Sequence, residues 1–340
     1  MADYNGTDGD DIIDASELAS DVNNIYPGKG NDTVTNATSR QTIISSPGED
    51  NISGSNFAYA LWQATQGGIT INLKEGWSDD GFGGKDLSQE EKDHIYNALL
   101  TYKVIFFRDQ DISTEQHMRF GQYFGELEIH PFAPLGTNRE DHPEVLRITH
   151  NEDNKPKENA WHSDVTWRME PSLGSILRMV ETPSVGGDTL FANMEAAYEN
   201  LPDEIKEKLE GAFAVHDFAL FRNRLIKQGK SPEEIEEFNK KFPKPTHPVI
   251  RTHPDTGKKS IYVNVAFTTH IEDFSDEDSR LMLNFLYNQA TIPEYQCRFK
   301  WEENSIAFWD NRACQHYATG DYWPAVRRVE RVTVIGNKPV

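Results

Sequence analysis

Between residues 175 and 336 the chain breaks into short β-branched and aromatic runs, SILRMV, DTLFAN, SIYVNVAF, CRFKW, SIAFWD and VERVTVIG, separated by glycine, proline and polar turns. Runs this short cannot each bury themselves, so they must pair into stacked sheets or a closed barrel. Helical periodicity is confined to an early block and one insert. Ser88 precedes Gln89-Glu90-Glu91 at capping-box spacing, and Ile95, Leu99 and Leu100 continue the helical period. A second capped helix is predicted from Thr114 to Phe124, closed by Gly125, and others over 202–212, 231–241 and 275–289. GGITINL at 67–73 reads as a strand, followed by a turn-rich loop, DDGFGGKD. The regular strand–helix alternation of a doubly wound sheet is missing, as is any GxGxxG opening a helix. The expected fold is therefore mainly β with helical decoration, a β-sandwich or jelly roll.

Charge narrows the partners. The 340 residues carry 34 Lys+Arg against 55 Asp+Glu, a net charge of −21, which disfavours nucleic acid and anionic membrane. No apolar run approaches a membrane span, and the start, MADYNGTDGDDIIDAS, lacks a basic and then apolar secretory pattern, so the expected address is cytoplasmic. Cys297 and Cys314 sit in apolar runs and read as core thiols. Residues 1–66 differ in texture from the rest, with ten acidic residues against Lys29 and Arg40. Gly6-Thr-Asp-Gly9-Asp-Asp11, Gly28-Lys-Gly30-Asn-Asp32 and Gly48-Glu-Asp50 recur about every 20 residues. This leader resembles worn copies of the RTX-type glycine/aspartate repeat, in which adjacent turns chelate Ca²⁺. A calcium site needs consecutive tandem copies, which are missing here, and a solvated β-rich or partly disordered leader is the other reading. The division expected is a leader at 1–66 and one globular domain at 67–340.

The chemistry concentrates in Trp161-His162-Ser163-Asp164-Val165-Thr166-Trp167. On an extended strand, residues i and i+2 share a face, so His162 and Asp164 can converge on one point. A third ligand is available in His316, within WDNRACQHY. Two imidazoles and one carboxylate are the facial triad of non-haem Fe(II) oxygenases, with positions left for co-substrate and O₂. An HxD pair alone arises often by chance. Arg327 follows His316 by eleven residues, and strand alternation can bring its guanidinium beside the metal, where its fork suits a carboxylate.

With these residues in hand, the chain resembles the taurine dioxygenase (TauD/TfdA-like) family of Fe(II)/2-oxoglutarate-dependent oxygenases over roughly residues 85–340. The segments that carry the likeness include VIFFRDQDIS, FGELEIHP, AWHSDVTW, ETPSVGGDTLFANMEAAYENLP and SIAFWDNRACQHYATGDYWPAVRRVERVTVIGNKP. The resemblance implies a double-stranded β-helix that uses Fe(II), 2-oxoglutarate and O₂ to hydroxylate or desaturate a small anionic substrate, releasing succinate and CO₂. It makes His162, Asp164 and His316 the iron ligands, and Arg327 with Thr189 the partners of the distal carboxylate of 2-oxoglutarate. Arg331 and His130 match the anion-binding residues of sulfonate oxidisers, and Phe267 and Val165 match the pocket wall. A carboxylate at 164 fills the position that halogenases of this class leave open for halide. The chain departs from taurine enzymes at Phe132-Ala133, at Phe221-Arg222 and in the longer loop NEDNKPKENA, and Arg222 would reshape the amine end of a taurine pocket. A larger sulfonate, sulfate ester or carboxylate is therefore expected. Members of the family often form homo-oligomers. The competing readings are a non-catalytic anion-binding β-sandwich and a calcium-dependent secreted or adhesive protein led by residues 1–66.

Overall fold

The computed structural model describes residues 87–340 except 88, 132–137, 140 and 158, together with strand segments and a few turn residues between 2 and 54. The expected strand GGITINL, the loop after it, Ser88 and the proposed boundary at residue 66 lie outside the described residues.

In the leader, Ala2–Thr7, Val22–Gly28 and Thr42–Ile43 form one parallel three-stranded sheet, and Ile12–Asp14, Thr33–Ala37 and Asn51–Gly54 form another. Ala2 pairs with Val22, Asn24 with Thr42 and Ile12 with Thr33, so each rung rises by about 20 residues. The recurrence in the sequence is thus the repeat of a short β-solenoid that alternates between two sheets. Asp8, Asp10, Asp32, Glu49 and Asp50, the acids on which a calcium site would depend, lie outside the described residues.

The main body is a sandwich of antiparallel sheets. The larger runs in the order Val104–Phe107, Ile306–Asp310, Ser172–Glu181, Arg327–Ile335, His142–His150, Asn138–Arg139. The smaller runs Gln296–Phe299, Thr189–Asn193, Cys314–Ala318. Strand alternation sorts the side chains. Met179, Val329 and Trp309 point inward to meet Phe191, Cys297 and Cys314 of the smaller sheet. Ile176, Phe308, Val332 and Val334 point outward, where Ile95, Leu99 and Phe120 of the helices Gln89–Tyr102 and Thr114–Gln122 cover them. The second of these helices opens with a full capping box between Ser113 and Gln116. Both cysteines are buried free thiols. Among the described residues no helix is long and apolar enough to cross a membrane.

Three local expectations change. The helix anticipated over 202–212 is limited to Asp203–Leu209. Met194–Glu199, capped by the Asn193 side chain, and Ala219–Lys227 are further helices. The strand expected through SIYVNVAF covers only Lys259–Ile261, because Asn264 Oδ1 accepts the Phe267 N–H at 3.1 Å and folds the chain into a turn.

Candidate active site

His162 and His316 are joined by an isolated antiparallel bridge, with His162 N–H donating to His316 O at 3.1 Å and the reverse bond at 2.8 Å. Residues opposed in such a bridge hold their side chains next to one another, and the two imidazole centroids lie 4.2 Å apart. Asp164 arrives differently from the sequence expectation. The chain does not continue as a strand but turns over 164–167, with Val165 at φ 48°. A β-branched residue there is strained by about 1–2 kcal/mol. The turn is held from beneath: Thr166 Oγ1 accepts from Asn264 Nδ2 and is hydrogen-bonded to His216 Nδ1, both at 3.0 Å, and His247 Nε2 donates to Arg168 O at 2.8 Å. These three supports were not legible as functional in the sequence.

The result is a cluster in which one ligand atom from each of His162, Asp164 and His316 lies within 4.8 Å of the others. The Ala160 carbonyl, 2.7 Å from His162 Nδ1, can only accept, so Nδ1 carries a proton and Nε2 is the nitrogen left for a metal. His316 is buried, with Nδ1 lacking a protein partner, and burial followed by the neighbouring His162 holds its pKa down to about 3. Burial alone would raise the Asp164 pKa, but Arg331, the two histidines and the Ser175 hydroxyl outweigh it and hold the carboxyl well below its usual range. Its pose is fixed by Ser175 Oγ donating to Oδ2 at 2.7 Å and by Asn311. The Asn311 Oδ1 accepts the Asp164 N–H at 3.1 Å, while its Nδ2 donates to Ser172 and Ser175. Two imidazole nitrogens and one ionised carboxylate oxygen are the donor set that suits Fe(II).

Two arginines face this cluster from one strand. Residues 327, 329 and 331 share the inner face, as a period of two requires, while Glu330 faces outward to Thr114, Arg147 and Arg178. Arg331 Nη1 donates to Asp164 Oδ1 at 2.7 Å. Arg327 lies between the rings of Trp301 and Tyr322, its Nε donating to Gly187 O at 3.1 Å. Gly187 has φ +77°, and a Cβ there would sit 3.2 Å from Arg327 Cδ, so only glycine allows this approach. Thr189 Oγ1 accepts from Trp301 Nε1 at 2.9 Å. His162, His316, Thr189, Trp301, Arg327 and Arg331 line one cavity, with Pro156 of the longer loop at its wall. Trp301 and Asn311 carry no motif that would have singled them out.

The opposite approach is aromatic. His130 is half-buried, edge-on to Phe221 at 5.5 Å and to Trp167 at 6.4 Å, and burial together with Arg331 lowers its pKa to about 3. Phe221 stacks on Phe267 at 6.2 Å, and Phe267 meets His162 edge-on at 6.1 Å. Val165 and Phe267 pack together in one buried cluster. Arg222 is not gathered into this wall. It pairs with Asp217, and its Nε donates to Asn239 Oδ1 at 2.9 Å. Phe132 and Ala133 lie outside the described residues.

A jelly roll holding two histidines, one carboxylate and a buried arginine defines a non-haem iron oxygenase of the 2-His-1-carboxylate class. Residues 70–333 match the model of the family described as "Taurine catabolism dioxygenase TauD, TfdA family", and the chain belongs to that family. It is 36 % identical over 257 residues to an alkylsulfatase of Acinetobacter baylyi, covering 74 % of this chain and 79 % of the relative. It is 35 % identical over 266 residues to an alpha-ketoglutarate-dependent sulfate ester dioxygenase of Pseudomonas putida, covering 75 % and 84 %. The crystal structure of a taurine dioxygenase from Burkholderia xenovorans is similar at a TM-score of 0.64 and 33 % identity, covering 79 % and 85 %.

Proposed function

We propose that this chain is an Fe(II)- and 2-oxoglutarate-dependent dioxygenase acting on an organic sulfate ester, with sulfonates as the neighbouring class. The observation that carries the reading is the convergence of the three ligand atoms within 4.8 Å beside the cavity that Arg327 and Arg331 line. His162, Asp164 and His316 hold the iron, and Arg327 with Thr189 hold the distal carboxylate of 2-oxoglutarate. When bound, iron and 2-oxoglutarate supply an oxidant made from O₂, leaving succinate and CO₂. Arg331 and neutral His130 receive the sulfate, and Val165, Phe267 and Phe221 line the path of the carbon chain and keep water from it. Hydroxylation of the carbon that bears the ester oxygen would let the product collapse to an aldehyde and release sulfate. The activities of the alkylsulfatase and sulfate ester relatives support this choice over taurine. The leader, residues 1–66, is a separate unit that the chemistry does not need, and the cytoplasm is the compartment in which Cys297 and Cys314 stay reduced.

The test is succinate release by the full-length protein with Fe(II), ascorbate and 2-oxoglutarate across alkyl sulfates, alkanesulfonates and aryloxy acids. Stimulation by alkyl sulfates, with aldehyde and sulfate formed one for one with succinate, is the expected result. Failure of every such compound to stimulate succinate release overturns the reading.

A further inference from the structure

Two buried polar side chains that line the cavity, His150 and Tyr322, have no part in the chemistry assigned so far. His150 Nδ1 and the Tyr322 hydroxyl are hydrogen-bonded at 2.6 Å across 172 positions of the chain. His150 ends the strand His142–His150 and stands directly opposite Arg327 on the neighbouring strand, so the two side chains share the inner face. Tyr322 reaches the same place from the turn 321–324 that precedes the strand Arg327–Ile335.

Arg327 thus lies in a slot whose two walls are secured differently. Its guanidinium is 5.9 Å from the Trp301 ring and 5.8 Å from the Tyr322 ring. Trp301 is locked by its bond to Thr189 Oγ1 at 2.9 Å and by Phe299, edge-on at 4.8 Å. Tyr322 has no strand to hold it, and a phenol on a turn can swing between rotamers. The backbone of its turn is tied down nearby. Thr319 donates both its N–H and its hydroxyl to Asp188 O at 3.0 Å, and Asp321 Oδ1 accepts the Gly187 N–H at 2.9 Å. Gly187 O in turn receives Arg327 Nε at 3.1 Å. These bonds hold the turn, and the bond to His150 holds the ring.

We propose that His150 is a positioning residue for the co-substrate: through the Tyr322 hydroxyl it fixes the ring against Arg327 and keeps the guanidinium fork aimed at the distal carboxylate of 2-oxoglutarate. This rests on the reading of Arg327 as the partner of that carboxylate. A fork and a carboxylate bind strongly only when aligned, so a loosened wall costs affinity for 2-oxoglutarate. The primary substrate, whose anion is placed on Arg331, is left untouched.

The test measures 2-oxoglutarate binding to the Mn(II)-loaded protein without O₂, by calorimetry, alongside steady-state KM values. It compares the wild type with Tyr322→Phe, His150→Leu, the double variant and His150→Asn. Tyr322→Phe keeps the ring and deletes only the hydroxyl. This variant and His150→Leu are each expected to weaken 2-oxoglutarate binding about fivefold, the loss of one net hydrogen bond. The double variant is expected to match either single one, because both remove the same bond. His150→Asn, whose amide can stand where Nδ1 stood, is expected to recover binding to within about twofold. The sulfate ester KM and the kcat at saturating 2-oxoglutarate should stay within about twofold, and melting temperatures within about 3 °C. Unchanged binding in Tyr322→Phe overturns the inference, as does a double variant weakened about 25-fold, the product of two independent losses. So does a rise of both KM values together with a fall in melting temperature, which would make the pair a support of the fold. A wild type that binds no 2-oxoglutarate, or an Arg327→Met protein that binds it as well as the wild type does, overturns the parent reading and the role of His150 with it.

Discussion

Arg327 and Arg331 stand four residues apart on one strand, yet their surroundings differ in kind. Around Arg327 the contacts come from strands and the short turns that join them: Gly187, Thr189, Trp301 and Tyr322. Around Arg331 and His130 they come from segments outside the two sheets: the turn at 164–167, the turn at 264–267 and the helix Ala219–Lys227. On the proposed assignment, co-substrate binding is thus fixed by the part of the fold least able to vary, and substrate recognition is left to inserts that can change without disturbing a ladder. Of the positions where the sequence departs from taurine enzymes, Phe221-Arg222 lies on the helix Ala219–Lys227, outside the strands of the two sheets, in keeping with that division.

Removing what both halves share has the largest effect. His162→Ala is expected to lose Fe(II) binding and to lower succinate formation at least about 10³-fold with or without primary substrate, read by iron titration and turnover. Wild-type succinate formation in that variant would break the ligand assignment. The two arginines then separate the halves. Arg327→Met is expected to raise the 2-oxoglutarate KM about 100-fold whatever the primary substrate, the loss of a charge-assisted fork being worth roughly 2–4 kcal/mol. Arg331→Ala is expected to raise the sulfate ester KM about 10- to 100-fold while substrate-independent decarboxylation of 2-oxoglutarate continues. Equal effects of both variants on both KM values would erase the distinction.

Acid stability probes the halves separately. Burial holds His117, whose Nε2 is bonded to Ile176 O of the large sheet, and His247, which supports the turn at 164–167, each at a pKa of about 4. The unfolded chain takes up these protons near pH 6.5 and the native state refuses them until about 4. The stability they contribute is therefore complete above about pH 6.5, falls as pH drops toward 4, and amounts to a few kcal/mol at most, on the order of 1.4 per pKa unit. Urea unfolding of His117→Gln and His247→Gln at pH 7, 5.5 and 4.5 is expected to show a flatter pH dependence than the wild type. In His247→Gln the sulfate ester KM should also rise, whereas in His117→Gln it should not. The smallest effect is expected from deleting residues 1–66, with kcat and both KM values within about twofold; a larger loss would join the leader to the catalytic unit.

What could be read from the residues alone was whatever a strand period of two conveys. Arg327 and Arg331 share a face because four is even, and the alternating runs announce two stacked sheets. Resemblance places Phe221 and Arg222 together at the pocket wall, but the segment is helical, so Phe221 meets His130 while Arg222 turns to Asp217. The His162–Asp164 pair was sought on a strand, whereas the structure uses a bridge and a strained turn to gather the same side chains. Trp301, Asn311 and His247 act through hydrogen bonds to residues over 70 positions away, which no local pattern announces.

Sequence by itself determined the chemistry on offer: two imidazoles, one carboxylate and two guanidiniums, at spacings that strands can bring together. Tertiary structure alone decided their states and poses. The tautomer of His162 depends on the Ala160 carbonyl, the ionisation of Asp164 on Arg331 and Ser175, and the fit of Arg327 on a glycine at φ +77°. Each of these is a short-range interaction whose geometry the fold sets, and its energy exists only once folding has removed the water between the groups.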